Sequence, residues 1–394
     1  MVFLYLKIES MVTLIFFYKE IQIFMSSILK KALAVCLVLM AFFILTSPVN
    51  AEWTLLYNIK AGSGCNASDL DGDWYFSDGY VYGELTVSGS GSNISGSLFD
   101  PEDEVTLTVT GGSLSIDADG AVTGTVIVGS GVDAETVTID NGILDEGKTF
   151  ILAVLTDSSN DQSSCFFSKG GGSASDLAGT WYIVGGTFNW NGFGTIELDA
   201  SGNIIDGSIT DVDNGSIITI DSGNLAVDVN SALTGSLTDS VPRTGDVVFG
   251  FINGGKRLFA LIGENERDIV MFVGVKAGGT FSNADLEGTW YSYGGSSEGG
   301  LITGLYTLNA SGSVTDGTIT TEEGAEAITG NFSLDADGVL DGSVAGDGDT
   351  STVSGGKMEQ GGAGFFMLLT DQEKVAANVN TSHGGCFIST IHMK

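Results

Sequence analysis

From Asp69 onward the chain is a succession of short runs in which apolar and polar residues alternate, broken every eight to twelve residues by Asp, Asn and Gly. In the last third, Leu301-Ile302-Thr303-Gly304-Leu305-Tyr306-Thr307-Leu308 leads through Asn309-Ala310-Ser311-Gly312 into Val314-Thr315-Asp316-Gly317-Thr318-Ile319-Thr320. A period of two marks half-buried strands, and Asx-x-x-Gly marks tight reversals, because Asp and Asn bond their own backbone and Gly takes positive φ. The same turn recurs as Asp117-Ala118-Asp119-Gly120, Asp199-Ala200-Ser201-Gly202 and Asp335-Ala336-Asp337-Gly338. Three segments break the alternation: Phe150 to Leu155, Leu258 to Ile262 and Phe365 to Leu369 are apolar at every position. Such a strand is buried on both faces, so its outer side is expected to pack against an adjacent domain, a linker or another copy, with local cover as the alternative.

These features repeat behind one motif. Asp69-Leu70-Asp71-Gly72-Asp73-Trp74-Tyr75, Asp176-Leu177-Ala178-Gly179-Thr180-Trp181-Tyr182 and Asp285-Leu286-Glu287-Gly288-Thr289-Trp290-Tyr291 start units 107 and 109 residues apart, a period that makes each unit a domain rather than a solenoid coil. About eight strands per unit without a crossover helix predict an all-β protein of three tandem antiparallel up-and-down β-barrels, with a sandwich as the alternative. The expected division is an upstream extension over 1–24, a signal peptide over 25–51, a linker over 52–68, and barrels over 69–172, 173–281 and 282–394. Composition agrees: 58 Gly and only 3 Pro in 394 residues.

The N-terminus carries the export reading. Lys30 and Lys31 precede an uncharged apolar run from Ala32 to Leu45 and then Ser47-Pro48-Val49-Asn50-Ala51, the order of a secretory signal helix cut after Ala51. A retained anchor is the competing reading, but the run breaks at Ser47-Pro48, short of the roughly 20 residues a span needs. The compact signal points to a bacterium, and the mature chain to the exterior or the outer cell surface. Four of the 15 basic and two of the 49 acidic residues lie in 1–51, leaving 11 against 47 and a net charge of −36. Nucleic acid and anionic lipid are excluded as partners by such a surface.

Candidate chemistry is sparse. Only two His are present, His383 and His392, so neither a Ser-His-Asp arrangement nor a multi-His metal site can recur in each unit. Asp69, Asp71 and Asp73 place carboxylates two residues apart, as do Asp211 and Asp213, but without the order of a helical calcium loop; turn chemistry explains them without an ion, and calcium stays the weaker alternative. Three cysteines remain after cleavage. Cys65 before the first unit and Cys165 in its last strand are candidates for a disulfide across the closed barrel, leaving Cys386 unpaired or free to bridge to another chain, with a buried free thiol in a strand as the equal alternative.

Gly179-Thr180-Trp181-Tyr182 and Gly288-Thr289-Trp290-Tyr291, opening a meander of hairpins, resemble the start of lipocalin and avidin barrels, and the tandem units are also similar to glycine-rich exported bacterial proteins. The lipocalin likeness implies that Trp74, Trp181 and Trp290 each close a barrel end beneath a basic side chain of the last strand, which would be Lys169, Lys276 and Lys394; bare strand-end lysines are the alternative. Biotin binding is not implied, because Phe76, Ile183 and Ser292 stand where avidins carry Asn. The leading expectation is a non-enzymatic secreted or cell-surface protein with structural or adhesive barrels and surface or matrix components as partners. The second is a carrier of small apolar ligands, in which case Tyr75, Phe188, Trp190 and Tyr293 would lie near a barrel end, with core filling the leading role expected for most of them, and the third a calcium-dependent surface protein.

Overall fold

The computed structural model describes residues 53–371, with short breaks at 79–80, 102, 132–133, 188–189, 213–214, 241–243, 265–268, 297–299, 322–323 and 347–348. The expected signal segment and Cys386 lie outside the described residues. Twenty-four strands form three closed antiparallel barrels of eight. The first barrel runs in chain order from β2 (Gly72–Ser77) to β9 (Gln162–Lys169), and the second from β10 (Gly179–Thr187) to β17 (Ile269–Lys276). In both, the last strand returns to the first: Trp74 is opposite Lys169, and Trp181 opposite Lys276.

The third barrel closes differently. Its chain-ordered strands run from β18 (Gly288–Ser296) to β24 (Gly364–Asp371), which is seven, and the eighth is β1 (Trp53–Lys60), from in front of the first barrel. Tyr57 is opposite Tyr293 on one side and Phe366 on the other, and Lys60 is opposite Trp290. The segment expected as a linker over 52–68 therefore contains a barrel strand. Trp53-Thr54-Leu55-Leu56-Tyr57-Asn58-Ile59-Lys60 has the β propensity and the terminal Lys of β9 and β17, but a single strand far from its partners in sequence has no hairpin to announce it.

Alternation sorts the side chains. In β8 (Phe150–Thr156), Ile151, Ala153 and Leu155 enter the first barrel, while Phe150, Leu152 and Val154 face outward. In β16 (Leu258–Glu264), Phe259 and Leu261 go in while Leu258 and Ala260 go out; in β24, Phe365, Met367 and Leu369 go in while Phe366 and Leu368 go out. The outward residues are buried together with Tyr57, Ile59, Tyr75, Ile143, Phe251, Val275 and Tyr293 in one core shared by the three barrels. The strands that are apolar at every position are thus the walls between barrels, and residues 53–370 form one compact unit.

Candidate functional site

Each barrel is sealed at one end by the repeated motif. A 3-10 turn precedes the first motif strand at Ala67–Leu70, Ala174–Leu177 and Asn283–Leu286, and each turn carries a capping box in which Asp69, Asp176 or Asp285 accepts the amide hydrogen of Asn66, Ser173 or Ser282. The turn lays Leu70, Leu177 or Leu286 over the barrel end. The indole N–H of Trp74, Trp181 and Trp290 donates to the carbonyl of that Leu at 2.7, 2.6 and 2.7 Å, so a fully buried Trp keeps its one polar atom satisfied.

A lysine then crosses each indole. Lys169 Nζ lies 4.8 Å from the Trp74 ring centroid, Lys276 Nζ 5.2 Å from Trp181, and Lys60 Nζ 4.8 Å from Trp290. Each ammonium also donates to the carbonyl of the capping-box Asp, Asp69, Asp176 or Asp285, at 2.5, 2.5 and 2.7 Å. Burial pushes all three lysines below their ordinary pKa, against nearby carboxylates that pull the other way. The motif glycine belongs to the same arrangement: Gly72, Gly179 and Gly288 have φ of 133, 114 and 135°, and a Cβ there would stand 3.5–3.8 Å from the passing lysine. The basic residue over Trp290 is Lys60 rather than Lys394, which lies outside the described residues, because β1 holds the closing position.

Large side chains pack inside each barrel. In the first barrel Trp74, Phe76 and Phe167 pack with Leu85, Leu98, Val126 and Leu155, leaving a cavity of about 20 Å³ among Phe76, Leu98, Val128 and Asp78, little more than one water. The second holds Trp181 against Phe259, ring centroids 4.9 Å apart, and the third Trp290 against Phe365 at 4.6 Å. The third barrel also buries a polar group. Asn58 of β1, fully buried, accepts from the Ser292 hydroxyl and from the Tyr306 hydroxyl at 2.7 Å; its amide lies 3.4 Å from the carbonyl oxygens of Leu56 and Phe365.

The remaining candidates do not assemble as expected. Asp69 pairs with Lys148 at 2.8 Å, and that contact and the Asn66 amide hold its carboxyl below the usual carboxylate range. Asp71 accepts the amides of Ser90 and Gly91, and Asp73 accepts the Thr86 hydroxyl. Their engagements are thus separate, and among the described residues no group of three acidic, His or Cys side chains is placed to hold a metal. Asp213 lies outside the described residues. Cys65 and Cys165 are both buried free thiols, not a disulfide. Cys65 bonds by its amide to Ala118 at the Trp74 end, whereas Cys165 lies opposite Ala153, four residues or about 13 Å along β9 from Lys169, too far for a bridge. Burial raises both thiol pKa values.

Tyr75 and Tyr293 face the shared core rather than a barrel mouth, because they follow inward residues by one position; the side chains of Phe188 and Trp190 are outside the described residues. Tyr75 of the first barrel stacks on Phe251 of the second, centroids 5.6 Å apart, and donates to the Asn230 carbonyl at 2.5 Å. At the matching place Tyr182 of the second barrel receives Lys357 of the third, whose Nζ is 3.6 Å from the ring centroid, 3% exposed, and without a hydrogen-bond partner among the described residues. Tyr291 and Ile143 belong to the shared core between the third barrel and the first. The segment leaving each closing strand makes the same step to the next barrel. Ala61 bridges to Asp145, Gly170 to Asn253, and Gly278 lies against Gln360. The barrels follow one another cyclically, and β1 makes the third-to-first junction equivalent to the other two.

The matching turn of the third barrel carries a strongly perturbed carboxyl. Glu359, in the turn matching those of Asp145 and Asn253, has its pKa raised to about 7 by burial and by the charge of Asp145, with Arg257 opposing. Burial likewise raises Asp145, and raises Tyr57 of β1 with help from both carboxylates.

No family model matches the sequence, and no curated protein matches it. Among solved structures the chain is similar to HpuA from Kingella denitrificans, solved in complex with human haemoglobin, at 12% identity over 58% of this chain and 91% of that one, with a TM-score of 0.24. It is also similar to the isotype 1 transferrin binding protein B of serogroup B Neisseria meningitidis, at 10% identity over 82% of this chain and 77% of that one, with a TM-score of 0.20. A protein of unknown function of the DUF3598 family from Nostoc punctiforme matches at 10% identity over 83% of this chain and 99% of that one, with a TM-score of 0.15. Scores this low carry no argument about what the chain does. Among the described residues no helix is long and apolar enough to cross a membrane.

Proposed function

We propose that this is an exported, non-enzymatic bacterial protein of the cell surface or its surroundings, whose three barrels act together as one rigid structural or adhesive module. The observation that carries the reading is the plugging of the barrels: Trp74, Trp181 and Trp290 are buried at one end of each, and the cavity of about 20 Å³ inside the first is far below the roughly 300 Å³ that a small-molecule site needs. What is left for recognition is the exterior, where loops project from a frame stiffened by the shared core and the acidic surface keeps nucleic acid and anionic lipid away. Surface or matrix components are the partners this reading implies.

Two measurements on the native host test it. Protease added to intact cells should cleave the protein, and native mass spectrometry of purified protein, with and without chelator, should give the bare chain mass. A stoichiometric small molecule released on denaturation would return the carrier reading, a chelator-sensitive mass shift the calcium reading, and protection in intact cells would remove the surface location.

A further inference from the structure

Of the described strands, β1 alone has neither of its chain neighbours in the barrel it completes. β9 and β17 reach their places through hairpins from β8 and β16, so neither can leave without dragging its own barrel apart. β1 has no such tie to the third barrel. Seven paired positions with β18 and seven with β24 hold it, together with the Asn58 contacts to Ser292 and Tyr306 and Lys60 over Trp290. On its outer face the Tyr57 ring meets Phe150 of the first barrel, centroids 5.6 Å apart. None of these contacts depends on which copy of the chain supplies the strand.

The segment that leaves β1 has the properties of a hinge. Ala61-Gly62-Ser63-Gly64 leads to Cys65 and Asn66, which fix the chain to the first barrel through the bond from the Cys65 amide to Ala118 and through the capping box. Its closed course is sterically narrow: Gly64 has a φ of 62°, and a Cβ on Gly62 would stand 2.8 Å from Cys65 Sγ and 2.9 Å from the Asp145 carbonyl oxygen. The Gly62 amide donates to the Leu144 carbonyl at 2.8 Å and Lys148 Nζ to the Gly64 carbonyl at 3.2 Å. Extended, the five steps from Lys60 to Cys65 reach about 17 Å, more than the roughly 10 Å between packed sheets. Synthesis order adds an opportunity. β1 is made first, and its partners β18 and β24 follow only after two whole barrels, so it stands unpaired while neighbouring chains fold.

We infer that two copies of the chain exchange β1 reciprocally, the third barrel of each being closed by the β1 of the other, with residues 61–64 as the hinge. The exchange restores every contact of β1 and gives up only those of the hinge. Chains that fold far apart close on themselves, because the tether holds β1 at high effective concentration. Chains that fold crowded together form the dimer, which then separates only when both third barrels open. It joins two three-barrel modules into one particle.

The experiment marks the two chains differently. An isotope-labelled Asn58→Cys chain and an unlabelled Ser292→Cys chain are refolded together at rising total concentration and mildly oxidised, and the dimer is isolated by size exclusion. Peptide mass mapping should find a disulfide joining position 58 of the labelled chain to position 292 of the unlabelled one, rising severalfold over a tenfold range of concentration. Monomer at every concentration, or a dimer without that disulfide, overturns the proposal. Should the cysteine variants fail to refold, Gly64→Val decides, since it alters no barrel residue and a β-branched side chain strains the closed hinge at positive φ. Refolded beside the unsubstituted chain, it should give severalfold more of a dimer that persists on dilution. No increase in persistent dimer overturns the exchange.

Discussion

The first and third barrels are built from the same parts and closed from opposite directions along the chain. Both have a capped 3-10 turn, a Trp bonded to a Leu carbonyl and a lysine lying over the indole. In the first, that lysine ends the strand following a short hairpin; in the third, it ends a strand from 228 residues before Gly288. A closing strand is therefore selected by its alternation and its terminal lysine, not by its place in the chain. The difference also shows inside: where the first barrel packs Phe76 against Phe167, ring centroids 5.1 Å apart, the third places Asn58 between Ser292 and Tyr306. A buried polar contact of this kind can select one strand over another apolar one, because any occupant lacking it leaves two hydroxyls unpaired.

The largest test removes what the barrels share. Trp74→Ala and Trp290→Ala should each cost about 3–5 kcal/mol in denaturant unfolding, but Trp290→Ala should also release β1, read as proteolytic cleavage near residues 53–60, while Trp74→Ala should leave β1 protected. Equal protection of β1 in both variants would break the comparison.

The next test is pH. The Glu359 pKa of about 7 is above its ordinary value near 4.5, so the folded state prefers the protonated acid; its stabilising effect is complete below pH 4.5 and is lost as pH rises to about 7. A loss of about 3 kcal/mol is the upper range from this group, with Asp145 acting in the same direction. Glu359→Gln should flatten the profile between pH 4.5 and 7, measured by urea unfolding; an unchanged slope would place the titration elsewhere.

Asn58→Ala should cost about 2 kcal/mol, since Ser292 and Tyr306 lose their acceptor inside the third barrel. Adding Ser292→Ala and Tyr306→Phe should recover part of that loss, and a thermal-melt series would show it. The smallest effect separates sealing from docking. Lys169→Met and Lys60→Met should each cost about 1 kcal/mol, but only Lys60→Met should weaken the junction between the third and first barrels. Hydrogen exchange at Ala61 and Gly62 reads that junction directly.

How much of this was legible follows from the range of each signal. Hairpins declare themselves locally, so the Asx-x-x-Gly turns and the period of two led to eight-stranded units, and the barrels have that strand number. The apolar runs at Phe150, Leu258 and Phe365 pointed to burial on both faces because one continuous segment holds both sets of side chains. The role of β1 could not be read in the same way, since its partners Ser292 and Phe365 are more than 230 residues away and the intervening sequence is complete in itself. Its local signals are β propensity and the terminal lysine, repeated at Lys60, Lys169 and Lys276. Burial of Tyr75 follows from its aromatic ring, but the face it takes does not follow from its place beside Trp74, because adjacency in a strand means opposite faces and puts it in the core shared between barrels. The paired reading of Cys65 and Cys165 failed for a related reason: neighbouring strands bring residues close only when their positions along the barrel axis also agree.

The central claim is that the N-terminal strand closes the third barrel, and amide hydrogen exchange of residues 53–60 in the mature protein tests it most directly. The account predicts protection comparable to that of 162–169 in β9, with Tyr57, Asn58 and Ile59 among the slow amides. Exchange of 53–60 at the rate of an unstructured peptide, while β9 stays protected, would contradict it.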